Sequence, residues 1–169
     1  LACVRIGAVT NPLMHIFRER ELEFMLNHGE AVAAIIPSMF RDHDYAAMYA
    51  GLSSKVPSLQ HIIAIGDDGP TGFGALLSGP AWENETDAES ILTKNRPGAD
   101  DVTQLIYTSG TTGLPKGVNM SPGEGADMQK IMEYFQSLAA ARPQVPGDVV
   151  LISMPMHHGA GPGLVRATL

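Results

Sequence analysis

The chain has 169 residues, 44% of them apolar and 17% charged, with a formal net charge of −7 and a single cysteine. A chain of this size buries roughly two thirds of its unfolded surface, so one globular core is expected. The acidic balance argues against nonspecific binding to nucleic acid or to an anionic membrane, since both need a basic surface. With Cys3 alone no intrachain disulfide is possible, and the sequence shows neither a signal-peptide pattern nor an apolar run long enough to span a bilayer, so a reducing cytoplasm is the expected location.

Strand-like and helix-like segments alternate, which predicts an α/β fold with a mostly parallel sheet and flanking helices. Residues 4–9 are expected as the first strand. A helix over 18–27 carries Leu22, Met25 and Leu26 on one face, with Gly29 placed to end it. Residues 31–36 then read as a buried strand. Asp44 is positioned to cap a helix in which Tyr45, Met48, Tyr49 and Leu52 repeat at i, i+3, i+4 and i+7, with Pro57 closing it, and 61–65 is the next strand.

From 66 to 101 glycines and prolines give way to the acids Glu83, Glu85, Asp87 and Glu89, a pattern expected of a long irregular surface connection with a short helix over 88–93. The acids are expected to be solvated: a metal site would need converging ligands, and Lys94 and Arg96 stand beside them. A strand over 102–107 follows. Beyond 118–120, again strand-like, Met128, Ile131, Met132, Phe135, Leu138 and Ala139 form an apolar stripe on a helix of about fifteen residues that should pack on the sheet. Its polar face is not notably basic, which disfavours a membrane-surface role. Pro143, Pro146 and Gly147 turn the chain into a last strand over 149–154.

Chemistry concentrates in residues 107–117, Tyr-Thr-Ser-Gly-Thr-Thr-Gly-Leu-Pro-Lys-Gly. Glycines let successive backbone N–H groups converge on an anion, and hydroxyls with an ammonium add further donors, each charge-assisted contact being worth roughly 1.5–3 kcal/mol. A Gly-rich turn between strands is often only a solvated turn, but the order of hydroxyls and the lysine favour a phosphate cradle. It is not a Walker loop. Pro115 stands where the glycine before the lysine belongs, Gly117 replaces the magnesium-binding hydroxyl, and a strand follows in place of a helix. The kinase pattern G-x-G-x-x-G is unmatched as well.

This segment resembles the signature loop of the adenylate-forming superfamily, which includes acyl-CoA synthetases, luciferases and the adenylation domains of peptide synthetases. The resemblance implies that Thr108, Ser109, Gly110, Thr111, Thr112, Gly113, Lys116 and Gly117 bind the phosphates of ATP while a carboxylate attacks the α-phosphate. It also implies Mg2+, with ligands mostly outside these residues, and CoA as co-substrate in the ligase branch. Residues 149–161, ending in Met156-His157-His158-Gly159-Ala160-Gly161, resemble the family's strand P-[LM]-[FY]-H followed by glycines; by that likeness His158 and Gly159 touch the acid substrate. Taken alone, a His-His pair after an apolar strand is more often structural, and no further ligands at metal-binding spacing accompany it.

The start of the chain, Arg5-Ile6-Gly7-Ala8-Val9-Thr10-Asn11-Pro12-Leu13 and then 18–26, is similar to the CoA-ligase stretch R-x-G-A-x-x-N-P-L and favours that branch over amino-acid-activating domains. Two positions depart from the pattern: Pro122 stands where the family has a histidine, and His157 where it has an aromatic. The resemblance implies an internal portion of the large N-terminal domain, with 1–65 as a first α/β portion, 66–101 as the connection and 102–169 as the phosphate-loop portion. The family's Y-G-x-T-E motif and its C-terminal domain with the catalytic lysine have no counterpart in these residues, so a complete catalytic set is not expected among them. The competing expectations are a stand-alone nucleotide-binding module without catalysis, and an adenylating enzyme whose acyl acceptor is not CoA. The carboxylic acid and the oligomeric state are not specified by these residues.

Overall fold

The structure is a computed structural model that describes residues 2–66, 69, 72–79, 81–84, 87–108, 114–121, 130, 133, 136, 137 and 140. The chain divides into two compact units: Leu1–Leu13, Asn95–Ile106 and Asn119–Leu169 form one, and Met14–Lys94 with Tyr107–Val118 form the other.

In the first unit the segment expected as a strand over 4–9 begins instead as a short helix, α1 (Ala2–Arg5). Local hydrogen bonds prevail there: the Ile6 N–H donates to the carbonyls of Ala2 and Cys3, the Gly7 N–H to Val4, and the Ala8 N–H to Cys3. Gly7, at φ +74°, makes the left-handed turn that closes this cap, a conformation that β-branched neighbours resist and glycine does not. Extended pairing begins only at Thr10, whose N–H donates to Thr103 O at 3.0 Å and whose carbonyl accepts the Leu105 N–H at 2.8 Å, a parallel bridge to Gln104.

Among the described residues, the buried apolar side chains all lie in the second unit. Its first element is α2 (Glu19–His28), with Leu22, Met25 and Leu26 buried as the spacing predicts. At its start the Glu21 carboxylate accepts the Arg18 backbone N–H at 3.2 Å, the half of a capping box that arginine permits, because a guanidinium has no acceptor to return. Its end is a Schellman arrangement: the Ala31 N–H donates to Leu26 O and the Glu30 N–H to Asn27 O. Gly29 is the last capping residue, as expected, but its φ of −89° is right-handed and the left-handed step falls on Glu30 at φ +48°.

Strand β1 (Ala33–Pro37) alternates, with Ala34 and Ile36 buried and Ile35 exposed. The strand expected to be wholly buried is therefore covered on one face by the described residues. A two-residue hairpin of β2 (Met39–Phe40) and β3 (His43–Asp44) follows, with Arg41 and Asp42 both at positive φ, as a primed turn requires. It leads into α3 (Tyr45–Leu52), capped as predicted by Asp44, whose carboxylate accepts the Ala47 N–H at 2.8 Å. Tyr45, Met48, Tyr49 and Leu52 are buried, and α3 ends at Leu52, ahead of Pro57; Val56 and Leu59 complete the cluster.

Strand β4 (His61–Ile65) pairs with β1 in parallel, Ala33 opposite His61 through Pro37 opposite Ile65, so α3 is the crossover of a β-α-β unit and packs on both strands and on α2. The connection expected to be irregular carries more order than the sequence suggests: α4 (Phe73–Ser78), a 3-10 turn over Trp82–Asn84 and α5 (Ala88–Lys94), the last lengthening the helix expected over 88–93. Two more strands, β5 (Gln104–Thr108) and β6 (Lys116–Met120), pair with each other and flank the Gly-rich loop. Lys130, Glu133, Gln136, Ser137 and Ala140 are helical; the apolar stripe expected on that helix, and the strand expected over 149–154, lie outside the described residues.

Candidate functional site

Strand β5 delivers the chain to the loop and β6 carries it away. The Thr103 N–H donates to Met120 O at 2.9 Å at one end of the pair, and the Thr108 hydroxyl donates to Lys116 O at 3.5 Å at the other, the pattern of a hairpin. Thr108 and Lys116 thus face each other across the neck of the loop, both exposed, and Gly117 is exposed beside them. Of the residues expected to face phosphate, the structure places these three together. Ser109, Gly110, Thr111, Thr112 and Gly113, and likewise His158 and Gly159, lie outside the described residues.

The residue just before the neck is tied to α2. The Tyr107 hydroxyl donates to the backbone carbonyl of Met25 at 3.0 Å, and His28 Nδ1 lies 2.8 Å from the Tyr107 hydroxyl oxygen. Burial pushes the Tyr107 phenol above its usual pKa of 10, so it holds its proton at neutral pH. His28 stacks on Phe24, one turn earlier on α2, with ring centroids 5.6 Å apart. No pattern in the sequence singled out this pair: 79 residues separate the partners, and neither is periodic with the other.

Chemically, the neck sets a hydroxyl-bearing residue and a lysine at the two ends of a loop of glycines, serine and threonines, a donor set suited to an oxyanion and not to a cation. Among the described residues no group of three or more His, Cys, Asp or Glu could hold a metal ion. No described helix is long and apolar enough to cross a membrane.

Residues 1–168 match the model of the family described as AMP-binding enzyme. The chain belongs to that family. It is 29% identical over 161 residues to the medium-chain fatty-acid–CoA ligase of Escherichia coli (strain K12), a match covering 95% of this chain and 27% of that protein. It is 26% identical over 176 residues to the 2-hydroxy-7-methoxy-5-methyl-1-naphthoate–CoA ligase of Streptomyces carzinostaticus, covering 100% of this chain and 30% of that one. Among solved structures, a natural red emitting luciferase from Phrixothrix hirtus superposes with a TM-score of 0.67 at 20% identity, over 98% of this chain and 30% of that one. The fold is accordingly the α/β fold of the adenylate-forming enzymes. The chain spans under a third of the length of these relatives.

Proposed function

We propose that the protein carrying this chain is an AMP-forming acid–thiol ligase. A carboxylate oxygen attacks the α-phosphorus of ATP, forming the acyl-adenylate as the bond to pyrophosphate breaks; the CoA thiolate then attacks the acyl carbon and AMP leaves. The observation that carries this reading is the neck of the loop, where β5 and β6 set Thr108 and Lys116 on either side of the signature residues in a chain of the AMP-binding family. In this reading Thr108, Ser109, Gly110, Thr111, Thr112, Gly113, Lys116 and Gly117 hold the phosphates, and His158 with Gly159 meet the acid. Lys116 neutralises charge on the phosphates as pyrophosphate departs, a contribution made by position and charge alone. Mg2+ would accompany the nucleotide and supply further neutralisation of phosphate charge. The named relatives act on a medium-chain fatty acid and on an aryl acid, which supports a carboxylic acid as the substrate class.

Lys116→Ala in the enzyme that carries this chain tests the reading. ATP-dependent pyrophosphate exchange should show kcat/KM for ATP falling by at least about tenfold, the worth of one charge-assisted contact, with an unchanged melting temperature. Unchanged ATP kinetics would remove the phosphate assignment. The 169 residues alone should show little or no exchange, because the reactive set is shared with the remainder of such enzymes.

A further inference from the structure

We propose that His28 is a positioning residue for the phosphate loop, holding Tyr107, and through it the start of the loop, against the C-terminal turn of α2. The inference rests on the reading of that loop as the ATP phosphate site.

The geometry fixes which group donates. A phenol has one proton; with that proton on the Met25 carbonyl at 3.0 Å, both contacts are hydrogen bonds when the imidazole Nδ1–H donates to the phenol oxygen at 2.8 Å, and this is the assignment that satisfies the pair. The His28 tautomer follows from the Tyr107 hydrogen bond. Three further contacts restrict how the imidazole can turn: it sits in the last turn of α2, it stacks on Phe24 at an interplanar angle of 25°, and its edge meets the Tyr107 ring at 70°. The base of this arrangement is rigid because Leu22, Met25 and Leu26 anchor α2 in the core, with Met25 fully buried.

One residue further on, Thr108 closes the neck onto Lys116. The loop therefore leaves a strand end held on two sides, by α2 through Tyr107 and by β6 through Thr108. A site that stabilises developing charge depends on such preorganisation, and misplacement by about 1 Å can cost up to 10²-fold in rate. A Tyr107 phenol lacking its second partner is free to swing about its Met25 contact, and Thr108, the next residue, is held less firmly. His28 acts only through Tyr107, without contact to nucleotide or acid.

A double-mutant cycle on the enzyme that carries this chain decides the matter, read as kcat/KM for ATP in pyrophosphate exchange, with KM for the acid and the melting temperature measured alongside. His28→Ala and Tyr107→Phe should each lower kcat/KM for ATP about five- to tenfold, the worth of one ordinary hydrogen bond, while KM for the acid stays within about twofold. The double variant should be no worse than either single one. His28→Asn, whose Nδ2–H leaves the same γ-carbon as the imidazole Nδ1–H, should recover most of the loss. Should His28→Ala fail to fold, Tyr107→Phe and His28→Asn carry the decision. Lys116→Ala is run in parallel to separate the two readings. A loss with Lys116→Ala but none with His28→Ala and Tyr107→Phe overturns the positioning role and leaves the phosphate site standing. Additive losses in the double variant overturn it as well. No loss with Lys116→Ala overturns both.

Discussion

Gly7 is turned directly onto the backbone carbonyl of Asn95, leaving no room for a Cβ, and it does so at φ +74°. Both conditions demand glycine. Gly7→Ala should therefore cost about 2 kcal/mol or more, from the left-handed conformation and the backbone collision together, seen as a lower midpoint in urea unfolding. An unchanged midpoint would mean that the turn between α1 and Thr10 differs from the one described.

Glu30 occupies the position where Schellman caps favour glycine. Glu30→Gly relieves the left-handed strain at some cost in unfolded-chain entropy, and a net gain of about 0.5–1 kcal/mol is expected by the same measurement. A loss of stability in that variant would show that Glu30 makes a compensating interaction.

Asp44→Ala removes the acceptor for the Ala47 N–H and should cost about 1 kcal/mol, since an orphan donor is left at the start of α3. Asp44→Ser, which keeps a capping oxygen, should recover most of it. Thermal melting of the two variants side by side gives the comparison.

Tyr49 is buried on α3, and burial first, then the neighbouring Tyr45, push its phenol up to about 12. The folded state thus holds this proton more tightly than the unfolded chain, where a tyrosine titrates near 10. Its contribution to stability is full below pH 10 and is lost as pH climbs toward 12, roughly 2–3 kcal/mol in all. Tyr49→Phe should flatten that alkaline limb; equal losses in both proteins would refute the assignment.

How much of this was legible in the sequence divides by the range of the interactions involved. The helix carrying Leu22, Met25 and Leu26, the Asp44 cap and the strand over 61–65 were readable because period, cap chemistry and β-branched runs are local signals. The segment over 4–9 was misread as strand because strand formation needs a partner, and only Thr10 finds one, at Gln104. The short helix expected over 88–93 is present as α5, whereas α4 was not legible because Gly72, Gly74 and Gly79 within and around its six residues read as a loop. At the site, the loop was recognisable as a contiguous motif, whereas Tyr107, His28 and the Met25 carbonyl come together only through folding.

At the neck of the loop Lys116 meets Thr108 with its backbone carbonyl, a group that every amino acid possesses. That closure does not use the side chain at 116, while the charge depends on it entirely. Saturation of codon 116 would thus sort variants by cationic character alone, with arginine the natural survivor, whereas saturation of codon 108 would confound the two because its own hydroxyl makes the closure.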